Sequence, residues 1–90
     1  MGRQIIVELW QIKENIERPK TLDEITRVIF GINTKNYKKA VRRAIYSGAY
    51  SSKTFPNGKI LLSNNIMVTT FDGDKYYNVP KIDKNIIILR

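Results

Sequence analysis

The sequence predicts an α+β domain in which three N-terminal helices are followed by a β-hairpin and then by an additional C-terminal β-hairpin or strand. Three observations predict it. Apolar residues recur at helical spacing as far as Ile45, and β-branched and aromatic residues become more frequent after Gly48. Two Gly-containing turn signals, Pro56-Asn57-Gly58 and Asp72-Gly73, divide that second part. Ninety residues hold one core of useful size, so residues 1–90 are expected to form a single domain.

The first helix is expected over residues 3–18, because Ile5, Leu9, Ile12 and Ile16 recur at steps of four, three and four and make one apolar stripe. Pro19 ends it by pushing the preceding residue out of the helical region. A second helix over 21–31 starts at Thr21-x-x-Glu24, where each side chain can satisfy a backbone N–H at the helix start. Leu22, Ile25, Ile29 and Ile32 supply its buried face, and Gly31 marks its end. The third helix is expected over 34–47, capped by Asn33 or Thr34, with Tyr37, Ala40, Val41, Ala44 and Ile45 on its apolar side and Gly48 closing it. A hairpin over 49–63 turns at Asn57-Gly58. A β extension over 65–90 turns at Asp72-Gly73, is broken by Pro80 and ends in a short apolar strand at 86–89.

Composition narrows the chemistry. Sixteen Lys and Arg stand against eight Asp and Glu, a formal charge of +8. Such an excess on a small chain favours a polyanionic partner, nucleic acid first and an anionic membrane surface second. No apolar run approaches the roughly 20 residues that span a bilayer. The first six residues also lack the pattern of a signal peptide, so a cytoplasmic location without membrane attachment is expected. With no Cys and no His, disulfides and zinc–thiolate sites are excluded, and the commonest general base and metal ligand are missing. No cofactor, metal or small-molecule ligand is expected. An enzyme is the least favoured class: the close acidic pairs, Asp23/Glu24 and Asp72/Asp74, fall at a helix start and a turn, and no nucleophile has a recognisable base beside it.

Two short helices joined by a few residues and followed by a hairpin have the order of a winged helix-turn-helix, and residues 21–50 resemble that family more closely. The stretch Thr-Leu-Asp-Glu-Ile-Thr-Arg-Val-Ile-Phe-Gly-Ile-Asn, residues 21–33, resembles its first motif helix, turn and cap. Tyr37, Ala40, Val41, Ala44 and Gly48-Ala49-Tyr50 resemble its recognition helix and the glycine that leads into the wing. The chain departs from the family at Ala44 and Tyr50, where Leu or Ile is usual, and residues after Asn64 have no counterpart in the minimal motif. The resemblance implies a double-stranded DNA partner, a recognition helix at 34–47 and a wing at 49–63.

The third helix adds a physical argument. At about 100° per residue, Lys35, Lys39, Arg42 and Tyr46 fall opposite the apolar side, with Asn36, Lys38 and Arg43 at the shoulders. No acidic residue occurs between Thr34 and Ser52. A solvated helix face normally mixes signs, because like charges three or four residues apart repel; a phosphate backbone would supply the missing charge. Lys35, Asn36 and Lys39 lie toward the N-terminal end, where base edges are usually met. Asn36 suits adenine and Arg42 suits guanine, while Arg42 and Arg43 suit phosphates equally well. Thr34 and the helix start suit a phosphate. Lys53 and Lys59 flank the first hairpin turn, which makes it the better wing, and the acidic Asp72-Gly73-Asp74 turn is expected to point away from DNA.

Plainer roles stand beside these. Asn36 suits a helix-start hydrogen bond as well as base readout, Lys53 and Lys59 suit solvated positions beside a turn, and Tyr46 and Tyr50 suit packing. Trp10 suits the core or a dimer contact. Ile6 and Trp10 widen the apolar side of the first helix, so a homodimer through that helix or the 86–89 strand is expected. The leading function is a sequence-specific DNA-binding transcriptional regulator. The alternatives are a plasmid partition (centromere-binding) or viral DNA-organising protein that spreads on DNA, and a winged-helix protein-interaction module. Single-stranded RNA binding would use exposed sheet aromatics, for which Phe71, Tyr76 and Tyr77 are the candidates.

Overall fold

A computed structural model describes residues 5–80 of the chain. Three helices pack on one side of a five-stranded antiparallel sheet, in the chain order α1 (Leu9–Glu14), β1 (Lys20–Thr21), α2 (Leu22–Phe30), α3 (Lys35–Ile45), β2 (Ser52–Thr54), β3 (Ile60–Leu62), β4 (Met67–Phe71) and β5 (Asp74–Asn78). The sheet order is β1-β5-β4-β3-β2. The two hairpins expected from the sequence are therefore not separate: β3 pairs with β4 and joins them, and β1 adds a fifth strand at the edge. No helix among the described residues is long and apolar enough to cross a membrane. The 86–89 strand expected from the sequence lies outside the described residues.

The first helix is much shorter than its apolar stripe. Residues 5–8 are not helical: Ile5 and Val7 turn toward the core while Ile6, between them, is exposed, the period of two of an extended chain. The Glu8 amide donates to Gln11 Oε1, which fixes the helix start at Leu9. At the other end the Ile16 carbonyl accepts from the Val79 amide just beyond β5, so the backbone has left the helix before Pro19. Ile12 and Ile16 are fully buried all the same. The stripe marks burial correctly although it runs past both helix ends.

The second helix starts as expected. Glu24 N donates to Thr21 Oγ1, and Thr21 N donates to Glu24 Oε1. Gly31 ends it in the left-handed region at φ 83°, open to glycine at little cost. Ile25 is fully buried, whereas Ile32, beyond that reversal, is half exposed rather than part of the buried face. Just before α2, Lys20 and Thr21 form a short strand opposite Tyr77 and Tyr76 of β5.

The core is one cluster in which Ile12, Ile16, Ile25, Val41, Ile45 and Ile66 are fully buried. Buried side chains of this size each contribute about 1.5–3 kcal/mol relative to exposure. The sheet contributes Leu62 of β3 and the pair Val68 and Tyr77, directly opposite each other on β4 and β5. The tyrosine stands in a T-shaped arrangement with Tyr46 and shares a hydroxyl–hydroxyl hydrogen bond of 3.2 Å with it. Burial pushes the Tyr77 phenol well above its ordinary range, and the bond to Tyr46 adds to that.

Candidate nucleic-acid interface

Helix α3 is placed by contacts at both ends and along one side. Thr34 caps its start, its Oγ1 accepting from the Tyr37 amide. The Tyr37 ring stacks on Phe30 at the end of α2, with centroids 4.2 Å apart and planes 4° from parallel. That stack fastens the two helices across residues 31–34, a contact type worth about 0.5–1.5 kcal/mol beyond its buried area. Within the turn the Asn33 Oδ1 is buried without a hydrogen-bond partner among the described residues. At the C-terminal end, Asn64 in the β3–β4 turn donates from Nδ2 to the carbonyls of Ile45 and Ser47, at 2.7 and 3.1 Å. Ser63 Oγ donates to the Gly48 carbonyl, and Lys13 Nζ of α1 donates to the Asn64 carbonyl. Carbonyls at the end of the helix are thus met by the sheet turn and not by solvent alone.

With Ala40, Val41, Ala44 and Ile45 buried, the opposite side of α3 faces outward. Lys35, Asn36, Lys39, Arg42 and Arg43 are all exposed. The cations Lys35, Lys39, Arg42 and Arg43 have no carboxylate partner among the described residues. Lys38 is set apart: its ammonium lies 2.8 Å from Asp23 of α2 and holds that carboxyl below its usual pKa. Lys38 therefore ties α3 to α2, while the other four make an exposed basic face without ion pairs among the described residues. Thr34 serves as the cap, and Asn36 makes no helix-start hydrogen bond among the described residues.

The two hairpin turns share one end of the sheet. Ile60 stands opposite Val68 and Leu61 opposite Met67, so the turn preceding β3 lies at the end toward which β4 runs, which is also the end of the β4–β5 turn. The β2–β3 turn is closed by Gly58 N to Phe55 O and Phe55 N to Lys59 O, with Gly58 at φ 88° and Asn57 Oδ1 accepting from Lys59 N. Lys53 and Lys59 beside it are exposed, and Lys53 Nζ sits 5.4 Å from the Phe55 ring centroid.

The acidic turn does not stand apart from the basic helix. Gly73, Asp74 and Lys75 line an open cleft of about 320 Å³ with Arg42 of α3 and with Leu22 and Asp23 of α2. The cause lies in sheet order. β1 leads straight into α2 and pairs with β5, which draws the start of β5 against the helix pair. Two aromatic expectations also change. Tyr50 is 96% exposed and Trp10 is 61% exposed, so neither packs in the core. Tyr46 does pack, edge-on to Tyr77.

Sequence reasoning missed Asn64 and Asp23, which position α3, and gave no sign that Asp74 shares a cleft with Arg42. Asn64 precedes Asn65 at φ 72° in the β3–β4 turn, and its grip on residues nearly twenty positions earlier has no local signal. No protein family, curated protein or solved structure matches this chain.

Proposed function

We propose that this chain is a winged helix-turn-helix protein that binds double-stranded DNA, with α3 in the major groove. The observation that carries this is the exposed face of Lys35, Lys39, Arg42 and Arg43, presented without a carboxylate partner among the described residues by a helix anchored at both ends. Rigid presentation of several cations on one face suits the fixed geometry of a phosphate backbone, and the N-terminal half of such a helix is where base edges are met. Lys35, Asn36 and Lys39 then face base edges, and Arg42 and Arg43 hold phosphates or a guanine. Lys53 and Lys59 extend the basic surface along the β2–β3 hairpin as its wing. Control of transcription is the role this suits best.

The test is binding of duplex DNA by charge-reversal variants. Lys39→Glu and Arg42→Glu lie on the exposed side of α3, so each is expected to unfold at an unchanged temperature and to lose at least tenfold in affinity. Full binding by both variants would place the contact surface elsewhere.

A second reading has its own observation. Ile6, just before α1, and Trp10, in its first turn, are large apolar side chains 71% and 61% exposed. They suit a homodimer contact, and a protein that spreads along DNA needs such a contact. Footprinting separates the two roles: discrete half-sites for a regulator, protection that lengthens with protein concentration for a spreading protein. Sedimentation showing only monomer at micromolar concentration, with and without DNA, would remove the dimer.

A further inference from the structure

The β4–β5 turn is stiff and acidic, and it shares a cleft with Arg42, at one edge of the proposed DNA face. Asp72 and Gly73 have φ of 52° and 82°, the two positive values of a tight two-residue hairpin turn, so the tip has little freedom to swing aside. Asp72 and Asp74 are both exposed. Asp23, the other carboxylate of the cleft, is engaged by Lys38, whereas Asp74 has no ion-pair partner among the described residues although Arg42 lines the same cleft. Asp74 in that cleft, with Asp72 two residues before it on the same rigid tip, confronts the phosphates that Arg42 would approach.

We propose that the β4–β5 turn limits general DNA affinity by repulsion: Asp72 and Asp74 weaken the hold of α3 on any phosphate backbone. Tight binding then survives only where contacts to base edges make up the difference. This rests on the duplex-binding reading above. A term common to every duplex cancels in the difference of affinities between two sites, so the turn acts on absolute affinity. Random-sequence DNA falls below useful affinity while a site with good base contacts stays above it. Two unit charges about 8 Å apart in water change an equilibrium by roughly two- to threefold. Two carboxylates each facing more than one phosphate thus predict an effect on the order of tenfold at low salt. It should fade as the screening length shrinks to about 8 Å at physiological ionic strength and below that at higher salt.

The experiment compares the wild-type chain, D72N/D74N and E14Q/E17Q for binding to random-sequence duplex DNA across a salt series. Asn-Gly is as favourable in this turn as Asp-Gly, so D72N keeps the hairpin. Glu14 and Glu17 are exposed, at the end of α1 whose Lys13 holds the β3–β4 turn, the sheet end opposite the two hairpin tips. They control for a change of net charge alone. The expected result is about tenfold tighter binding by D72N/D74N at low salt, shrinking as salt rises, with a clearly smaller gain for E14Q/E17Q. Equal gains in both variants, or unchanged or weaker binding by D72N/D74N while the wild type binds, would overturn the proposal and leave the duplex-binding reading standing. Absence of binding by all three proteins at low salt would overturn both.

Discussion

Asn64 joins the sheet to α3 through a single side chain. Its Nδ2 serves the Ile45 and Ser47 carbonyls while its Oδ1 accepts from the Ile66 amide. Replacing it by alanine leaves helix-end carbonyls and an amide without these partners, so Asn64→Ala is expected to cost about 1–3 kcal/mol in chemical denaturation. The Asp23–Lys38 contact gives a pH dependence whose sign follows from its chemistry. The ammonium lowers the Asp23 pKa in the folded chain, so its contribution is present above the unfolded value of about 3.9 and is lost as the pH falls through the folded one. Asp23→Asn is therefore expected to flatten the pH dependence of the unfolding temperature between about pH 5 and pH 3, and an undiminished slope would show that the pair contributes nothing. At this scale the sequence was most informative on the third helix, where Ala40, Val41, Ala44 and Ile45 are buried and Lys35, Lys39, Arg42 and Arg43 exposed, as the periodicity requires. It was silent on Asn64 and Asp23, whose partners lie on other elements.

Among the elements, those with local punctuation were legible and those made by distant pairing were not. The box at Thr21 and Glu24, the left-handed glycine at Gly31 and the two hairpin turns each follow from a few adjacent residues. The strand β1 has no such signal, since its two residues, Lys20 and Thr21, count as a strand through their pairing with Tyr77 and Tyr76. The first helix was overextended because its stripe continues through residues that are buried without being helical. Gly31 gives the sharpest test here. Nothing lies within 4 Å of where a Cβ would stand, so Gly31→Ala changes the backbone preference alone. It is expected to cost about 1 kcal/mol through the left-handed conformation. A variant as stable as wild type would show that the α2–α3 turn relaxes to another geometry.

Over the whole molecule, the sheet order brings the opposite charges of the two hairpins to one end, a basic β2–β3 turn and an acidic β4–β5 turn, with Arg42 in the cleft beside the latter. The net charge of +8 pointed to a polyanion, but composition has no direction in it. Only the packing of α2 and α3 against β5 puts Asp74 in the same cleft as Arg42. Whether the α3 face meets a phosphate backbone is decided by the salt dependence of affinity for duplex DNA. The logarithm of the association constant should fall linearly with the logarithm of salt concentration, at about 0.9 per phosphate contacted, with roughly five to eight contacts for a dimer. Lys39→Glu should reduce that slope. No measurable affinity at low salt, or a slope near zero, would mean that the basic face of α3 does not bind DNA.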